Sequence, residues 1–265
     1  MNRAYINKAD PTQAEWIIKR FNAKIKLYLE SIVPEIEKLF EGPPAGTPGL
    51  MHAASSIGTI DLKDLLGGVD GILRKVYYDS EGTLQDTIEK AYSQGDMFAQ
   101  ISLGAKPEVR RATWSLIGDR VLKSQSDFKG ITDYTASKIR TTIADGIINE
   151  RTQGDMIAEI METIDKVTYA RAETMVRTES MKAVNAGVKD RYDQEGVDGF
   201  ERLEAEDEKT CTDWEFNIDG VIYMGCAGID GKVFTKDQAD QVDEQTHPNC
   251  RGTWVPSISI PEMEA

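Results

Sequence analysis

Ile218-Asp-Gly-Val-Ile-Tyr-Met-Gly-Cys-Ala-Gly-Ile-Asp-Gly-Lys-Val-Phe234 is the stretch that decides the fold. Two Asp-Gly dipeptides, at 219–220 and 230–231, border the short β-prone runs Val221-Ile222-Tyr223 and Val233-Phe234. Asp-Gly beside short apolar runs is a hairpin signal, because both residues accept positive φ. Glycines at 196, 199, 220, 225, 228, 231 and 252 punctuate the surrounding region. Everything upstream carries a helical period instead. The chain therefore reads as α+β: a predominantly α-helical N-terminal and middle region, and a small β-containing domain at 200–265. A domain of short strands and loops has little core of its own, so a bound metal would help it hold one conformation.

Metal ligands are present where such a domain needs them. All three cysteines and one of the two histidines fall here, in Thr210-Cys211-Thr212-Asp213-Trp214, at Cys226, and in Thr246-His247-Pro248-Asn249-Cys250-Arg251-Gly252. Cys211, Cys226, His247 and Cys250 supply three thiolates and one imidazole, a set known for closed structural zinc sites. His247-x-x-Cys250 is a close pair on one tight turn. Cys211 has Trp214 where a second close cysteine would stand, so three buried thiols with His247 capping a turn is the competing reading. Asp207 and Asp213 are further oxygen ligands in reach of the sequence.

The first 25 residues include Arg3, Lys8, Asp10, Glu15, Lys19, Arg20 and Lys24, and no uncharged run approaches the roughly 20 apolar residues of a membrane span. The expectation is a soluble, unsecreted product with no membrane partner. An unsecreted chain with three cysteines points to metal binding or free thiols, not to disulfides.

Net charge is −14, which argues against coating nucleic acid by bulk attraction. Residues 201–265 hold five basic and fifteen acidic side chains. That concentration disfavours a zinc-stabilised DNA-binding regulator. Between Ala105 and Arg140 eight cations (Lys106, Arg110, Arg111, Arg120, Lys123, Lys129, Lys138, Arg140) face four acids. This zone is either a contact surface for DNA phosphates or an acidic partner, with Lys106, Arg110, Arg111, Arg120 and Lys123 as contacts, or a solvated mixed-charge face.

The helical part divides by its breakers. Asp10-Pro11-Thr12 reads as a start for the apolar series Trp16, Ile17, Phe21, Ile25, Tyr28, Leu29, Ile32 and Ile36, which Pro34 should kink or divide. Residues 42–60 read as a flexible loop that orders on a partner. Helices are predicted from Asp61 to Leu73 and from Thr83 to Met97, broken by Gly67-Gly68 and by Asp79-Ser80-Glu81-Gly82. Pro107 should open another helix, and a further one should begin near Thr132 or Asp133. Thr152 with Asp155 reads as a capping box for a helix at 156–164. The domain boundaries read as 1–130, 131–199 and 200–265.

The segment from Thr168 to Tyr192 is apolar on two sides, with Ala172, Met175, Val176, Ala183 and Ala186 on one and Ala170, Met181, Val184, Val188 and Tyr192 on the other. Such a helix is buried between neighbours. Glu179 and Arg177 fall inside those stripes and need partners; Glu173, four residues before Arg177, is one candidate. We take Glu173, Arg177 and Glu179 as structural ion-pair residues and assign no catalytic residue.

Arg171-Ala172, Val176-Arg177-Thr178-Glu179, Asn185-Ala186-Gly187, the Gly-Val pair at 196–197 and His247-Pro248-Asn249-Cys250-Arg251, in that order, resemble the Mu F-like family of phage minor head proteins, also called head morphogenesis proteins. The resemblance spans roughly residues 130–256. It implies a non-enzymatic minor capsid component of a tailed virus, bound at the portal vertex inside the head and present in the host cytoplasm during assembly. Its implied partners are the portal protein, the inner face of the major capsid protein and packaged double-stranded DNA, and its implied work is head assembly and genome packaging or ejection. The family usually carries Cys-x-x-Cys before the His-Pro element and Cys-Arg-Cys after it; here Trp214 and Gly252 occupy the second cysteine positions. The implied zinc centre is then complete when Cys226 takes part; otherwise Trp214 and Trp254 fill the core. A metal-dependent hydrolase with a catalytic Cys/His site is the alternative from another functional class.

Overall fold

The computed structural model describes Thr12 and residues 14–41, 62–205 and 210–257. The expected cap at Asp10-Pro11, the loop at 42–60, the helix onset at Asp61 and the candidate ligand Asp207 lie outside them. Among the described residues up to 194 lie the longer helices α1 (Glu15–Glu30), α2 (Ile32–Glu41), α3 (Leu62–Ser102), α4 (Trp114–Ile148), α5 (Gln153–Glu162) and α6 (Tyr169–Gln194), with a π-helical turn at Thr163–Thr168 between the last two. The C-terminal region holds β1 (Phe200–Leu203), β2 (Glu215–Ile218), β3 (Val221–Met224), the short α7 (Gly225–Ile229), β4 (Val233–Phe234), α8 (Lys236–Gln245) and β5 (Thr253–Pro256). The fold is α+β and mostly helical. Among the described residues no helix is long and apolar enough to cross a membrane.

The chain forms two compact units that cut across the sequence divisions at 130/131 and 199/200. One comprises Met1–Arg20, Gln85–Leu122 and Thr174–Ala265, the other Phe21–Leu84 and Lys123–Glu173.

The second of these units is built from apolar stripes. Phe21, Ile25, Leu29, Ile32 and Ile36 are buried, as are Leu65, Val69, Leu73 and Val76 on α3 and Phe128, Ile139 and Ile143 on α4. Each such side chain contributes roughly 1.5–3 kcal/mol of transfer free energy. The break between α1 and α2 falls at Ser31, whose hydroxyl donates to the Tyr28 carbonyl at 2.7 Å. Pro34 is the third residue of α2, where its missing N–H leaves no intrahelical bond unmade. The capping expectation at Thr152 is met, since the Asp155 N–H donates to Thr152 Oγ1 at 3.2 Å, although the Asp155 carboxylate takes the Thr152 hydroxyl instead of the cap's N–H.

Three expected breaks do not occur. α3 runs unbroken through Gly67-Gly68 and through 79–82, and α4 runs unbroken through Gly130 to Ile148. A glycine in a helix costs about 1 kcal/mol, less than the buried residues flanking each of these sites return. Ser80 further bonds its hydroxyl to the Tyr77 carbonyl at 2.7 Å, which satisfies it within the helix. Pro107 starts no helix. Residues 105–113 form an extended segment held by Gln100, whose side-chain amide bonds both the N–H and the C=O of Glu108 at 2.8 and 3.0 Å.

In the other unit α3 and α6 meet backbone to backbone. A Cβ on Gly95 would lie 1.9 Å from the Val184 carbonyl oxygen, and one on Gly187 2.1 Å from that of Tyr92. Tyr192 reaches Ser102 at 2.5 Å and Arg191 Nε donates to Asp96 at 2.7 Å.

Strand β1 lies between β4 and β5 in an antiparallel sheet, with Phe200 opposite Phe234 and Pro256, and Arg202 opposite Trp254. β2 and β3 form a separate hairpin in which Ile218 pairs with Val221. Its turn residues Asp219 and Gly220 have φ of 49° and 83°, the doubly positive conformation for which Asp-Gly is suited. The second Asp-Gly does not make a hairpin. It follows α7 and leads into β4, because the residues before it, Gly-Cys-Ala-Gly, coil into a helical turn. Helix α8 was not expected; Thr235 and Gln238 form its reciprocal capping box.

Candidate metal centre

Each Cys/His ligand is placed by a different element. His247 and Cys250 sit on the turn after α8, closed by the Cys250 N–H to the His247 carbonyl at 3.2 Å, with Asn249 at φ 67°. Thr178 of α6 fixes that turn by accepting the Asn249 N–H at 3.2 Å. Cys226 is the second residue of α7, after Gly225, which has φ 67° and touches the backbone of Cys211 and Thr212 so closely that a Cβ would lie 2.5 Å from the Cys211 oxygen. The glycine is what lets Cys211 approach Cys226.

The expected ligands fall into two groups that share Cys226: Cys211, Cys226 and His247 lie within 4.8 Å of one another, and Cys250 joins Cys226 and Glu204 in the second. Cys226 Sγ lies 3.2 Å from Cys211 Sγ, 3.0 Å from His247 Nε2 and 3.9 Å from Cys250 Sγ. A tetrahedral zinc, with bonds of about 2.3 Å to sulfur and about 2.0 Å to nitrogen, sets ligand edges of roughly 3.5–3.8 Å. The Cys226–Cys250 separation lies near that range, whereas those from Cys226 to Cys211 and His247 are shorter than it. His247 Nδ1 donates to the Pro248 carbonyl at 2.8 Å, which leaves Nε2 as the free lone pair directed at the sulfurs. A small open pocket of about 10 Å³ is lined by Cys211, Cys226, His247 and Cys250 together with Glu204, Asn249 and Arg251, room for a single ion or water. Glu204, Cys226 and Cys250 also lie within 4.8 Å of one another, so the carboxylate borders the same space. These groups could hold a metal. All three cysteines are free of disulfides.

A buried ionic network backs the cluster, and sequence reading missed it. Arg202 is fully buried; its Nε donates to Glu204 at 2.7 Å, its Nη1 to Asp243 at 3.3 Å and its Nη2 to Cys250 Sγ at 3.3 Å, while the guanidinium lies over Trp254. Trp254 Nε1 donates to Asp243, and Lys189 Nζ reaches Asp240 and Asp243 at 2.5 and 2.7 Å. Asn185 donates to the Gly252 carbonyl at 3.1 Å. Burial pushes the Glu204 carboxyl up to about 7, against the pull of Arg202. A hydrogen bond from Cys226, reinforced by Arg202, draws the Cys250 thiol down to about 5. The signal for this network was the strand alternation Phe200, Arg202, Glu204, which puts two charges on the inward face beside a buried phenylalanine.

Gly252 is explained by the same network. A Cβ there would sit 2.2 Å from Glu204 Oε1 and 2.4 Å from Arg202 Nη2, so Arg202 and Glu204 occupy the space that a cysteine at 252 would need. Of the two tryptophans, Trp254 fills the core, whereas Trp214 is 41 % exposed and covers His247 edge-on at 5.6 Å, with its Nε1 bonded to the Gln245 carbonyl. Asp213 is exposed and outside the ligand group.

The expected ion-pair residues are arranged differently. Arg177 pairs with Glu15 of α1; Glu173 is exposed and is not its partner, because α1 brings a carboxylate closer than the helix's own next turn does. Glu179 is buried, as expected. Of the basic zone, Lys106, Arg110 and Arg111 stand exposed on the 105–113 segment, with Arg110 bonded to Gln194 at 3.1 Å. Arg120 is half-buried, and Lys123 is paired with Asp127 at 2.5 Å, so the outward positive charge is smaller than the sequence count. In comparisons with known proteins, no protein family, no curated protein and no solved structure matches the chain.

Proposed function

We propose that this protein is a non-catalytic minor head component of a tailed virus, whose C-terminal part is stapled by one structural zinc held by Cys211, Cys226, His247 and Cys250. The observation that carries the structural-metal reading is the approach of Cys211, His247 and Cys250 to Cys226. A hydrolase needs an open metal position and room for substrate, and the space beside these residues is small, about 10 Å³. The virion assignment rests on the residue pattern from Arg171 to Arg251, with portal protein, inner capsid surface and packaged DNA as partners. The exposed Lys106, Arg110 and Arg111, displayed on a segment held by Gln100, support a contact role for that segment.

Elemental analysis of the purified chain, followed by chelator titration with unfolding monitored in parallel, tests the metal. One zinc per chain, released together with loss of structure, is expected; a metal-free chain or turnover of phosphodiester or peptide substrates sinks the reading. Quantifying the chain in mature particles and portal-containing assemblies tests the location, and its absence from both overturns it.

A further inference from the structure

Within the second unit, a groove of about 320 Å³ runs between α3 and α4. Its α3 wall is Asp70, Leu73, Arg74, Tyr77 and Tyr78, one face at helical spacing, and its α4 wall is Lys129, Thr132, Asp133, Ala136 and Arg140, again one face. Leu73, Thr132 and Ala136 are buried and form the floor. The small Thr132 and Ala136, set against α3, leave the space open. Both carboxylates are already engaged, Asp70 with Arg140 at 3.1 Å and Asp133 with Lys129 at 2.6 Å. Arg140 spends one of its five N–H donors on Asp70. Arg74 is exposed and makes no ion pair among the described residues. Tyr78 is 60 % exposed and its ring meets that of Tyr77 edge-to-face at 5.3 Å.

We infer that this groove binds one phosphorylated nucleoside, either free or at the end of a strand. Guanidinium forks match phosphate oxygens, which Arg74 and the remaining donors of Arg140 supply. A tyrosine face stacks any base without reading its sequence. The volume lies at the low end of the roughly 300–1,000 Å³ of small-molecule sites, enough for a single nucleotide and too small for a duplex. Rigid helices on both sides make the site preformed. It shares no residue with the Cys/His cluster, so it stands or falls separately from the zinc reading.

The test uses the full chain and calorimetric titration with dTMP, inorganic phosphate, and dT4 carrying either a 5′-phosphate or a 5′-hydroxyl. Saturable dTMP binding at one site per chain is expected, weakened at least fivefold by Arg74→Ala and by Tyr78→Ala, with the thermal melt unchanged because both side chains are exposed. Inorganic phosphate should bind at least fivefold more weakly than dTMP. Binding of 5′-phosphorylated dT4 at the same strength, with loss for the 5′-hydroxyl form, would place the natural ligand at a strand end; failure of dT4 with dTMP retained would make it a free nucleotide. Absence of dTMP binding, indifference to Arg74→Ala, or phosphate binding as tight as dTMP overturns the proposal, as does oligonucleotide binding that depends on Arg110 and Arg111 instead.

Discussion

In the second unit the ion pairs lie outside. Lys166 and Glu162, 73 % and 61 % exposed, and Lys129 and Asp133, at 57 % and 65 %, bridge one helical turn in water. In residues 200–257 the same residue types lie inside: Arg202 and Glu204 are 0 % and 3 % exposed, and Asp243 is 8 % exposed. The helical unit draws its stability from apolar stripes, and its surface pairs add little because water screens them. The C-terminal region, with short strands and few large apolar side chains, uses a desolvated charge network to fix the positions of β1, β5 and α8. Such a network is a poor source of net stability but a costly thing to break, since each partner removed strands a buried opposite charge. Its further effect is to hold Cys250 and Gly252 in place beside the other thiols.

Breaking that network should separate the two regions most clearly. Arg202→Ala strands Glu204 and Asp243 and should cost about 3–5 kcal/mol, read as a lowered urea midpoint; a shift no larger than that of a surface variant would refute the contrast. Ile139→Ala, an apolar deletion in the helical unit, should cost about 2–4 kcal/mol and leave the near-ultraviolet signal of Trp254 at the parental form, which sharpens the comparison because a change there would then report the network alone.

Lys189→Met removes a cation from Asp240 and Asp243 and should cost about 1.5–3 kcal/mol at pH 8. Its pH dependence has a definite sign. Although burial pulls the ammonium down, the charge of Asp243 and its bonds to Asp240 and Asp243 hold the pKa above its ordinary 10.5. The stabilisation is therefore complete below about pH 10.5 and is lost as pH rises through the folded value. Urea unfolding at pH 8 and pH 11.5 should show the parent falling toward the variant.

Gly252→Ala tests the tight packing around Arg202 and Glu204 and should cost about 1–3 kcal/mol; a neutral result would show that Glu204 can move. At the bottom of the range, Lys166→Ala should leave the melting temperature unchanged within error, as an exposed pair predicts. A clear loss there would mean that surface charge matters more in the helical unit than its geometry implies.

Much of this was legible in the chain. The Asp219-Gly220 turn, the Thr152 cap and the two-sided stripe of α6, buried apart from the exposed Ala170 and half-buried Ala186, follow from local chemistry and period, which are properties of neighbouring residues. The breaks expected at Gly67-Gly68, at 79–82 and near 132 were not real, because a helix interrupted in propensity is carried through by burial that only neighbouring helices supply. Helix α8 escaped notice because its sequence, Lys-Asp-Gln-Ala-Asp-Gln-Val-Asp-Glu-Gln, has two apolar residues; its capping box was the readable clue.

The sequence by itself determined the class of the fold, the boundary where helix gives way to strand, and the four residues able to ligate a metal, since each depends on residue type and spacing. Tertiary structure alone decided that Cys211 and Cys226, fifteen positions apart, meet across Gly225, that Arg177 turns to Glu15, and that Arg202 lies at the centre of the C-terminal core. Those are choices among partners distant along the chain. They are settled by which groups share a desolvated space, and a linear pattern does not encode that.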